Sequence, residues 1–548
     1  KQGSFWLCTN SNELKCMHIK KYFSGNYDQN LSYWLLFLTV LITVLIRFHF
    51  LEIPFERDEG SYAYLGQQVL NGKVPYVDFF ERKFPVIFYA YAAVVAIFGY
   101  SLTGVHLGFL VINLISIIVV FLIVKKLFNP LTAWTAASAF ALYSMSPYAS
   151  GFTAQSEHLV IFFLLLGIWA MVHACDNGKA WLYIASGVAM SLGLLIKQNG
   201  IFFIIFSVVA LITWLLKQQS GTRQIFKYIT FYAIGGFVPV ALVAFILWLQ
   251  GAFEDMIYWT IYSSVDYISG SGLDKAIANI TYMLKRISQT HIVIWATSLM
   301  GLISFWFLRK PLHIKSLLTL FVLLSFLSVA PGFRFFGHYW LFIYPAMALL
   351  SAMLFYALSK IIRKSKLPLL MAFLLIFIMN IFQNADYYFT DDVNQPVKNT
   401  YGSDLFPATK KLSDYLNQQM HKSDQLLVLG FEPQIYVYTQ KEAPVRFHFM
   451  KLLTKIENKQ LYQEYKNAML EKLYANPPNY IVYMANYMDK DYAKDLKSGL
   501  KPLLKKYEQI ALVELRKWKE TRFFFNDGRN TIKHGKNYIS ILRKKSEL

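Results

Sequence analysis

Long apolar runs, separated by short polar loops, occupy the first 384 residues of the chain. A helix that spans a bilayer needs about 20 mostly apolar residues, with about 17 as the lower limit. A further run, 85–99, is marginal in length. The pattern therefore predicts an all-α polytopic membrane protein with about eleven transmembrane helices. The eleven runs lie at 33–51, 105–124, 131–149, 158–174, 181–199, 200–216, 228–249, 292–308, 315–331, 339–358 and 367–384.

The charges of the loops predict the orientation of these spans. Basic residues collect on the cytoplasmic side of membrane proteins. If 85–99 lies against the outer leaflet without crossing, the N-terminal segment and one set of loops together hold 17 basic residues and three acids. The opposite side then receives 11 of the 14 acids among the first 384 residues. We therefore expect a cytoplasmic N-terminal segment, 1–32, and a C-terminal region outside the cytoplasm.

Composition agrees with this prediction and excludes several classes of protein. Hydrophobic residues make up 55% of the chain, charged residues only 16%, and the mean hydropathy is +0.36. These values exclude a disordered, fibrous or ordinary cytosolic protein. Three cysteines are too few for a disulfide framework and lack the spacing of metal ligands. In a membrane protein, basic residues collect on the cytoplasmic side, so a net charge of +21 does not by itself indicate nucleic-acid binding. We therefore expect no nucleic-acid partner.

Residues 385–548 resemble a soluble domain, with 27 basic and 19 acidic residues. Strand-like and helix-like runs alternate there, which predicts a small extracytoplasmic α/β domain. The chain is thus divided into the N-terminal segment, a transmembrane domain over 33–384 and this C-terminal domain. The predicted strands are Gln425–Gly430 and Tyr480–Tyr483, and the predicted helices are 404–420 and 456–474.

The first outer loop, within 52–104, carries an unusual number of acids for a chain that otherwise avoids them. Asp58 and Glu59 precede a short predicted helix, 60–70, and Tyr62 lies one turn after Asp58. A simple explanation is that Asp58 caps the helix and Glu59 is a first-turn acid. However, charged groups next to a membrane span are costly and are usually functional. The loop is therefore a candidate catalytic site.

The same loop ends in Arg82 and Lys83, at the start of the marginal apolar run 85–99. Two cations at this position suit the binding of a lipid phosphate. The loop also contains no long polar stretch, so we expect it to pack against the membrane surface.

These elements together resemble the first outer loop of the GT-C glycosyltransferases, and in particular bacterial glycosyltransferase family 39. That family is related to protein O-mannosyltransferases and to aminoarabinose transferases of lipid A. The residues that carry the resemblance are Arg57-Asp58-Glu59-Gly60, Tyr62, Pro75-Tyr76 and Phe79-Phe80-Glu81-Arg82-Lys83-Phe84-Pro85. The resemblance implies a GT-C fold with outer juxtamembrane helices. It also implies an inverting transfer of a sugar from a polyprenyl-phosphate carrier to a hydroxyl outside the bacterial cytoplasmic membrane.

The resemblance, together with the requirements of this reaction, assigns roles to residues. A base must take the acceptor proton, and cations or donors must hold the leaving phosphate. A carboxylate that caps a helix has a lowered pKa and is a poorer base, a conflict that the sequence leaves open for Asp58. The predicted catalytic residues are Asp58, Glu59 and Glu157; the donor-phosphate residues are Lys83, Arg82, Lys197, Arg334 and His338; the substrate-binding residues are Tyr62, Glu81, Gln198 and Tyr339.

Some of these residues also have a structural interpretation. Lys197 fits a lysine that extends to the membrane interface, and Glu157 fits a helix cap. The aromatic loop 331–340 suits an interfacial belt. In the aminoarabinose branch an acid precedes the lysine of the first loop, whereas here Arg82 does. Because of this difference, a metal site cannot be carried over from that branch, and a divalent metal ion stays an open expectation.

Three alternatives are kept: a transporter or flippase, a glycan ligase or polymerase, and an inactive homologue. The last is kept because Arg82 and Phe84 depart from the family pattern. A transporter or flippase would carry polar residues near the middle of its spans and often two repeated halves, and neither feature is evident here. A glycan ligase or polymerase would use a similar lipid-linked donor but transfer a whole oligosaccharide. We expect as partners a polyprenyl-phosphate-linked sugar, membrane lipids and an envelope glycan, lipid or protein as acceptor.

Overall fold

The computed structural model describes residues 11–263, 272–362, 365–516, 520–525 and 537–545. Each of the eleven predicted apolar runs coincides with a helix. The membrane body consists of helices Ser11–His49, Arg57–Leu70, Val86–Phe98, Leu102–Leu127, Pro130–Ser144, Ser156–Asn177, Ala180–Ile196, Ile201–Lys217, Thr222–Leu249, Phe253–Ile257, Leu273–Thr290, Ile292–Phe307, Leu312–Leu327, Tyr344–Ile361 and Leu367–Gln383. Short 3₁₀ helices lie at Pro147–Ala149, Gln198–Gly200, Pro331–Phe333 and Gly337–Ile343.

The apolar helices differ in length. Within the described residues, six are long and apolar enough to cross a membrane. A seventh span results if Asp274–Thr290 and Ile292–Phe307 are counted as one, although they meet at a bend of 105°. Other apolar helices, such as Ala180–Ile196 and Leu367–Gln383, are shorter. The polytopic helical prediction is confirmed, while the number of eleven spans stays a prediction.

The marginal run 85–99 is the helix Val86–Phe98, which begins after Pro85 and ends at Gly99 with φ 98°. Its 13 residues rise about 20 Å, less than the ~30 Å of a hydrocarbon core. It packs against the helix Arg57–Leu70, here called the first-loop helix. This length agrees with a helix that does not cross the membrane.

The C-terminal region contains the predicted α/β domain. The strands are β1 Leu426–Leu429, β2 Tyr480–Met484, β3 Tyr507–Glu514, β4 Arg522–Phe525 and β5 Tyr538–Lys544. They form one mixed sheet in the order β1-β2-β5-β3-β4, in which only β1 and β2 are parallel. The helices are Ala385–Tyr388, Asn394–Tyr401, Leu405–Gln419, Gln434–Thr439, Met450–Thr454, Lys459–Ala475, Ala485–Met488 and Lys494–Leu504, with a 3₁₀ turn at Asp491–Ala493.

The C-terminal domain packs directly on the first-loop helix. A Cβ atom added to Gly60 would lie only 2.4 Å from the Cβ of Gln434, so a larger residue would not fit there. Ser61 Oγ lies 2.8 Å from His448 Nε2, and the ring of Tyr64 stacks on the ring of His448 and contacts the tilted ring of Tyr436. The first-loop helix is therefore held between the membrane body and the C-terminal domain.

Candidate active site

A cavity of about 570 Å³ opens where the first-loop helix, the membrane body and the C-terminal domain meet. Nine of the twelve predicted site residues line it, although they come from four separate parts of the chain. Glu59, Glu157 and Arg334 do not line it. The nine are Asp58, Tyr62, Glu81, Arg82, Lys83, Lys197, Gln198, His338 and Tyr339.

Asp58 is half-buried on the cavity wall, and its carboxylate accepts no hydrogen bond from the part of the chain that the structure describes. The interpretation of Asp58 as the helix cap is wrong. Glu56 is the N-cap residue, and its Oε2 accepts the Asp58 N–H at 2.8 Å. The capping network therefore does not occupy the Asp58 carboxylate. The conflict between capping and basicity disappears.

Glu59 completes the cap and is fully enclosed. Its Oε1 accepts the Glu56 N–H at 2.6 Å, which forms a capping box. Its Oε2 accepts the Ala154 N–H at 2.5 Å and lies 3.0 Å from His106 Nε2. One oxygen thus closes the cap of the first-loop helix, the other joins this helix to the membrane body, and Glu59 does not line the cavity.

Glu56 also lines the cavity and is absent from the sequence-based site. Burial raises the pKa of its carboxyl to about 8, and the neighbouring Asp58 carboxylate contributes to this rise. Two adjacent carboxylates rarely ionise together, so this raised pKa favours the protonated form of Glu56. The partial signal that could have identified it is the spacing Glu56-x-x-Glu59, which has the spacing and final Glu of a capping box but lacks the usual Ser or Thr at the N-cap.

Behind the cavity, the Lys197 ammonium forms an ion pair with Glu157. Lys197 is only 3% exposed, so the interpretation as an interface lysine is wrong. Its Nζ also lies 4.5 Å from the centre of the Tyr339 ring, and His338 Nε2 lies 3.9 Å from Glu157 Oε1. A buried charge is stable only with such a partner, so the pair fixes this wall of the cavity.

The segment from Glu81 to Lys83 forms the wall nearest to the membrane helix Val86–Phe98. The Arg82 N–H donates to Glu81 Oε1 at 2.7 Å, and Gln198 Nε2 donates to the Arg82 carbonyl at 3.0 Å. Burial raises the pKa of Glu81, and the nearby Lys83 ammonium partly opposes this. Among the described residues, Lys83 has no carboxylate within ion-pair distance, so its ammonium can accept an anionic ligand.

The remaining predicted residues are a tyrosine in the cavity and an arginine outside it. Tyr62 is buried against Tyr91 at a ring distance of 5.5 Å, and burial raises the pKa of its hydroxyl. Arg334 is half-buried, and its guanidinium lies 6.0 Å from the centre of the Phe336 ring.

The C-terminal domain supplies a wall that was not predicted, formed by Phe449, Lys451 and Leu452. It also binds the residue that precedes Asp58. Arg57 Nη2 lies 2.5 Å from Glu432 Oε1, and Arg57 Nε donates to the Phe431 carbonyl at 2.8 Å. No sequence signal could have shown these contacts, because they join residues far apart in the chain.

A divalent metal ion was an open expectation. In the described ranges of the chain, no group of three or more His, Cys, Asp or Glu side chains is arranged to hold one. The described residues therefore do not fit a metal site.

Comparison with known protein families gives one match. Residues 82–248 match the family described as dolichyl-phosphate-mannose-protein mannosyltransferase. This segment contains Arg82, Lys83, Glu157 and Lys197. No curated protein sequence matches the chain.

Solved structures show the same fold at low sequence identity. ArnT from Cupriavidus metallidurans bound to undecaprenyl phosphate has a TM-score of 0.57 at 12% identity, over 93% of this chain and 98% of that chain. Its apo form has a TM-score of 0.55 at 12% identity, over 94% and 98%. The Archaeoglobus fulgidus oligosaccharyltransferase with a tethered acceptor peptide has a TM-score of 0.50 at 12% identity, over 91% and 74%. The predicted GT-C fold is confirmed.

Proposed function

We propose that this chain, a membrane glycosyltransferase of the GT-C superfamily, transfers one sugar from a polyprenyl-phosphate carrier to a hydroxyl of a cell-envelope acceptor, with inversion. The observation that carries the proposal is the position of Asp58 and Lys83 on one cavity. Asp58 offers a carboxylate outside the capping network, and Lys83 offers an ammonium without a carboxylate partner among the described residues. A base and a phosphate-binding cation are the two groups that this reaction requires.

In the proposed reaction, the acceptor oxygen attacks the anomeric carbon while the Asp58 carboxylate takes the hydroxyl proton. The bond between the anomeric carbon and the phosphate oxygen breaks, and its electrons leave with the polyprenyl phosphate. Because the attack comes from the face opposite the leaving group, the product has inverted configuration. The protonated neighbour Glu56 lets Asp58 carry its negative charge without a second charge beside it.

The leaving phosphate gains negative charge and needs nearby cations or donors. Lys83 and Arg82 hold it directly at the membrane side of the cavity. Lys197 and His338 form the adjoining wall, where the ammonium of Lys197 is balanced by Glu157. Arg334, which lies outside the cavity lining, adds positive potential from a distance.

The sugar and the acceptor hydroxyls are bound by the polar side chains between these groups. Tyr62, Glu81, Gln198 and Tyr339 line the cavity beside Asp58 and Lys83. Glu59 has a supporting role, since its buried carboxylate positions the start of the first-loop helix. Glu157 likewise acts through Lys197 rather than as a base.

The similar structures support the donor class. ArnT of Cupriavidus metallidurans binds undecaprenyl phosphate, a polyprenyl phosphate. The oligosaccharyltransferase shares the fold, so a ligase that transfers a whole oligosaccharide is kept as the alternative function. The matched family and fold belong to glycosyltransferases, which favours a transferase over a transporter or flippase.

We place the reaction at the outer face of a bacterial cytoplasmic membrane, with the N-terminus inside and the C-terminal domain outside. The distribution of loop charges supports this orientation. The cavity agrees with it, because it lies at the contact between the membrane body and the C-terminal domain.

The test is a comparison of lipid-linked sugars and surface glycans, by mass spectrometry, in cells with the protein, without it and with its Asp58→Asn variant. The proposal expects one polyprenyl-phosphate monosaccharide to accumulate and one single-sugar modification to disappear without active protein. Loss of a whole oligosaccharide from the acceptor would favour the ligase instead. Unchanged profiles would contradict both.

A further inference from the structure

Lys451 is a lysine of the C-terminal domain that faces the cavity of the membrane domain. It lies in the short helix Met450–Thr454 and lines the cavity. Its Nζ lies 5.2 Å from the centre of the Phe431 ring, while the Arg57 guanidinium lies 5.6 Å from the same ring. Two cations therefore share one aromatic ring at the edge of the active-site cavity.

The two cations differ in their partners. Arg57 is paired with Glu432, whose other oxygen accepts a hydrogen bond from Gln434 at 2.8 Å. Within the described chain, Lys451 forms no ion pair and no hydrogen bond with any side chain. Burial, together with the positive charges of Arg57, Arg334 and Arg82, lowers the pKa of Lys451 to about 8. A half-buried ammonium among other cations is stabilised strongly by an anion that enters the cavity.

Lys451 and Lys83 reach the cavity from different parts of the chain. Lys83, which precedes the membrane helix Val86–Phe98, acts electrostatically on Glu81. The charges that act most strongly on Lys451 are Arg57 and Asp58. Asp58 acts on both Glu81 and Lys451. Asp58 thus shares one cavity with Lys83, which precedes the helix Val86–Phe98, and with Lys451 of the C-terminal domain.

We propose that Lys451 binds an anionic group of the acceptor, and hence that the acceptor is a negatively charged chain, with phosphodiester or carboxylate groups near the hydroxyl that is glycosylated. This inference rests on the proposed function, which places the donor at Lys83 and the proton transfer at Asp58. The acceptor reaches Asp58 from the aqueous side, because Lys451 belongs to a domain with the charge density of a soluble protein.

The experiment measures binding to the purified full-length protein in phosphatidylcholine nanodiscs. The probes are a glycerol phosphate oligomer, an uncharged glycerol oligomer of equal length and undecaprenyl phosphate. The variants are Lys451→Gln, Lys451→Arg, Lys83→Gln and the matched control Lys455→Gln. Lys455 lies one turn further along, is exposed, rests on the ring of Tyr492 and does not line the cavity.

We expect the wild type to bind the phosphate oligomer at least about tenfold more tightly than the uncharged oligomer. Lys451→Gln should remove this preference and leave undecaprenyl phosphate binding unchanged, whereas Lys451→Arg should keep part of it. Lys83→Gln should weaken undecaprenyl phosphate instead. Lys455→Gln should match the wild type for every probe.

Four results would decide against the inference. Equal binding of the charged and uncharged oligomers, or a Lys451→Gln variant that keeps the preference, overturns it. Weaker undecaprenyl phosphate binding in Lys451→Gln assigns this lysine to the donor, which also overturns it but retains the proposed function. If phosphatidylglycerol nanodiscs compete with the phosphate oligomer for Lys451, the bound anion is a lipid headgroup. This result overturns the proposal of a negatively charged acceptor chain. A wild type that binds the phosphate oligomer through Lys451 but not undecaprenyl phosphate contradicts the proposed function alone.

Discussion

The Asp58 amide donates a hydrogen bond to the Oε2 of Glu56 at 2.8 Å, so the residue before the first-loop helix provides its cap. Burial raises the pKa of the Glu56 carboxyl, and the Asp58 carboxylate remains in the cavity without a hydrogen bond from the described residues. Two acidic side chains two positions apart thus have separate roles. One holds the helix, and the other is left to react.

The first prediction is that Asp58→Asn abolishes transfer and preserves the fold. Because the Asp58 side chain is not used in capping, its amide analogue should insert and purify normally. The loss of a general base should lower kcat by about 10²–10⁴. The rate is measured with saturating donor on monodisperse protein, with Asp78→Asn in the same loop as control. Asp78 is exposed and caps the Val74 N–H at 2.7 Å. A rate above about a tenth of wild type would exclude Asp58 as the base.

A second prediction concerns pH and Glu56. Its folded pKa, about 8, lies above the value near 4.5 of an unfolded glutamate. The folded state therefore binds the proton more tightly, and this contribution to stability is full below pH about 4.5 and is lost as pH rises towards 8. Glu56→Gln cannot ionise but can still accept the Asp58 N–H. Its apparent Tm relative to wild type should increase between pH 5 and 8.

The control for this pH series is Glu52→Gln, because Glu52 is exposed and precedes the same helix. Its Tm difference from wild type should stay constant across the range. If Glu56→Gln gave a similarly constant difference, the Glu56 carboxyl would be ionised in the fold, contrary to this account.

Several elements could be predicted from the sequence because their signals are local. Apolar runs identify the membrane helices, and β1 and β2 are short buried runs between turns. The strands β3 to β5 were missed because their exposed positions carry charged and polar residues such as Glu508 and Arg543. Their pairing depends on contacts between distant segments.

The site shows the same division. Asp58 and Lys83 lie in the same loop of the sequence, so they could be predicted to belong to one site. The capping role of Glu56 was assigned to the wrong acid, since several carboxylates stand close together there. Lys451 and Glu432 belong to another domain, and the packing of that domain on the first-loop helix, as at Gly60 and Gln434, brings Lys451 to the cavity and Glu432 to Arg57.

A third prediction is that Lys83 holds the donor phosphate mainly through its charge. Lys83→Gln should raise the apparent KM for the donor at least about tenfold, because a hydrogen bond from a charged donor is lost. Lys83→Arg keeps the charge and should retain part of the activity. Lys73→Gln, an exposed lysine outside the cavity, is the control. If Lys83→Gln kept the wild-type KM for the donor, the phosphate-binding site would be assigned to Lys197 or Arg334 instead.

The fourth prediction is the orientation in the membrane. Reporter fusions after residues 178 and 220 should report the cytoplasm, and fusions after 78 and 400 should report the exterior. The reason is the excess of basic residues in the first pair of loops and of acids in the first outer loop. An external signal at 178 would mean that 85–99 crosses the membrane, and the proposed site would then face the wrong side.

The last prediction is that the ion pair between Arg57 and Glu432 positions the base. Glu432 is 1% exposed, so its removal leaves the Arg57 guanidinium without a partner next to Asp58. Glu432→Gln should destabilise the protein by about 1–3 kcal/mol. The ion pair affects the position of Asp58 and not the residues proposed to bind the donor phosphate. Therefore kcat should fall while the donor KM changes little.

The double variant Arg57→Gln, Glu432→Gln removes both charges together. If the two side chains act through each other, it should lose less stability than the sum of the single variants, since neither charge is left buried alone. Glu442→Gln serves as the matched control, because Glu442 accepts a hydrogen bond from Asn71 in an exposed contact between the same two regions. A Glu432→Gln variant with wild-type kcat would show that the C-terminal domain does not position Asp58, and that its contact with the first-loop helix serves stability alone.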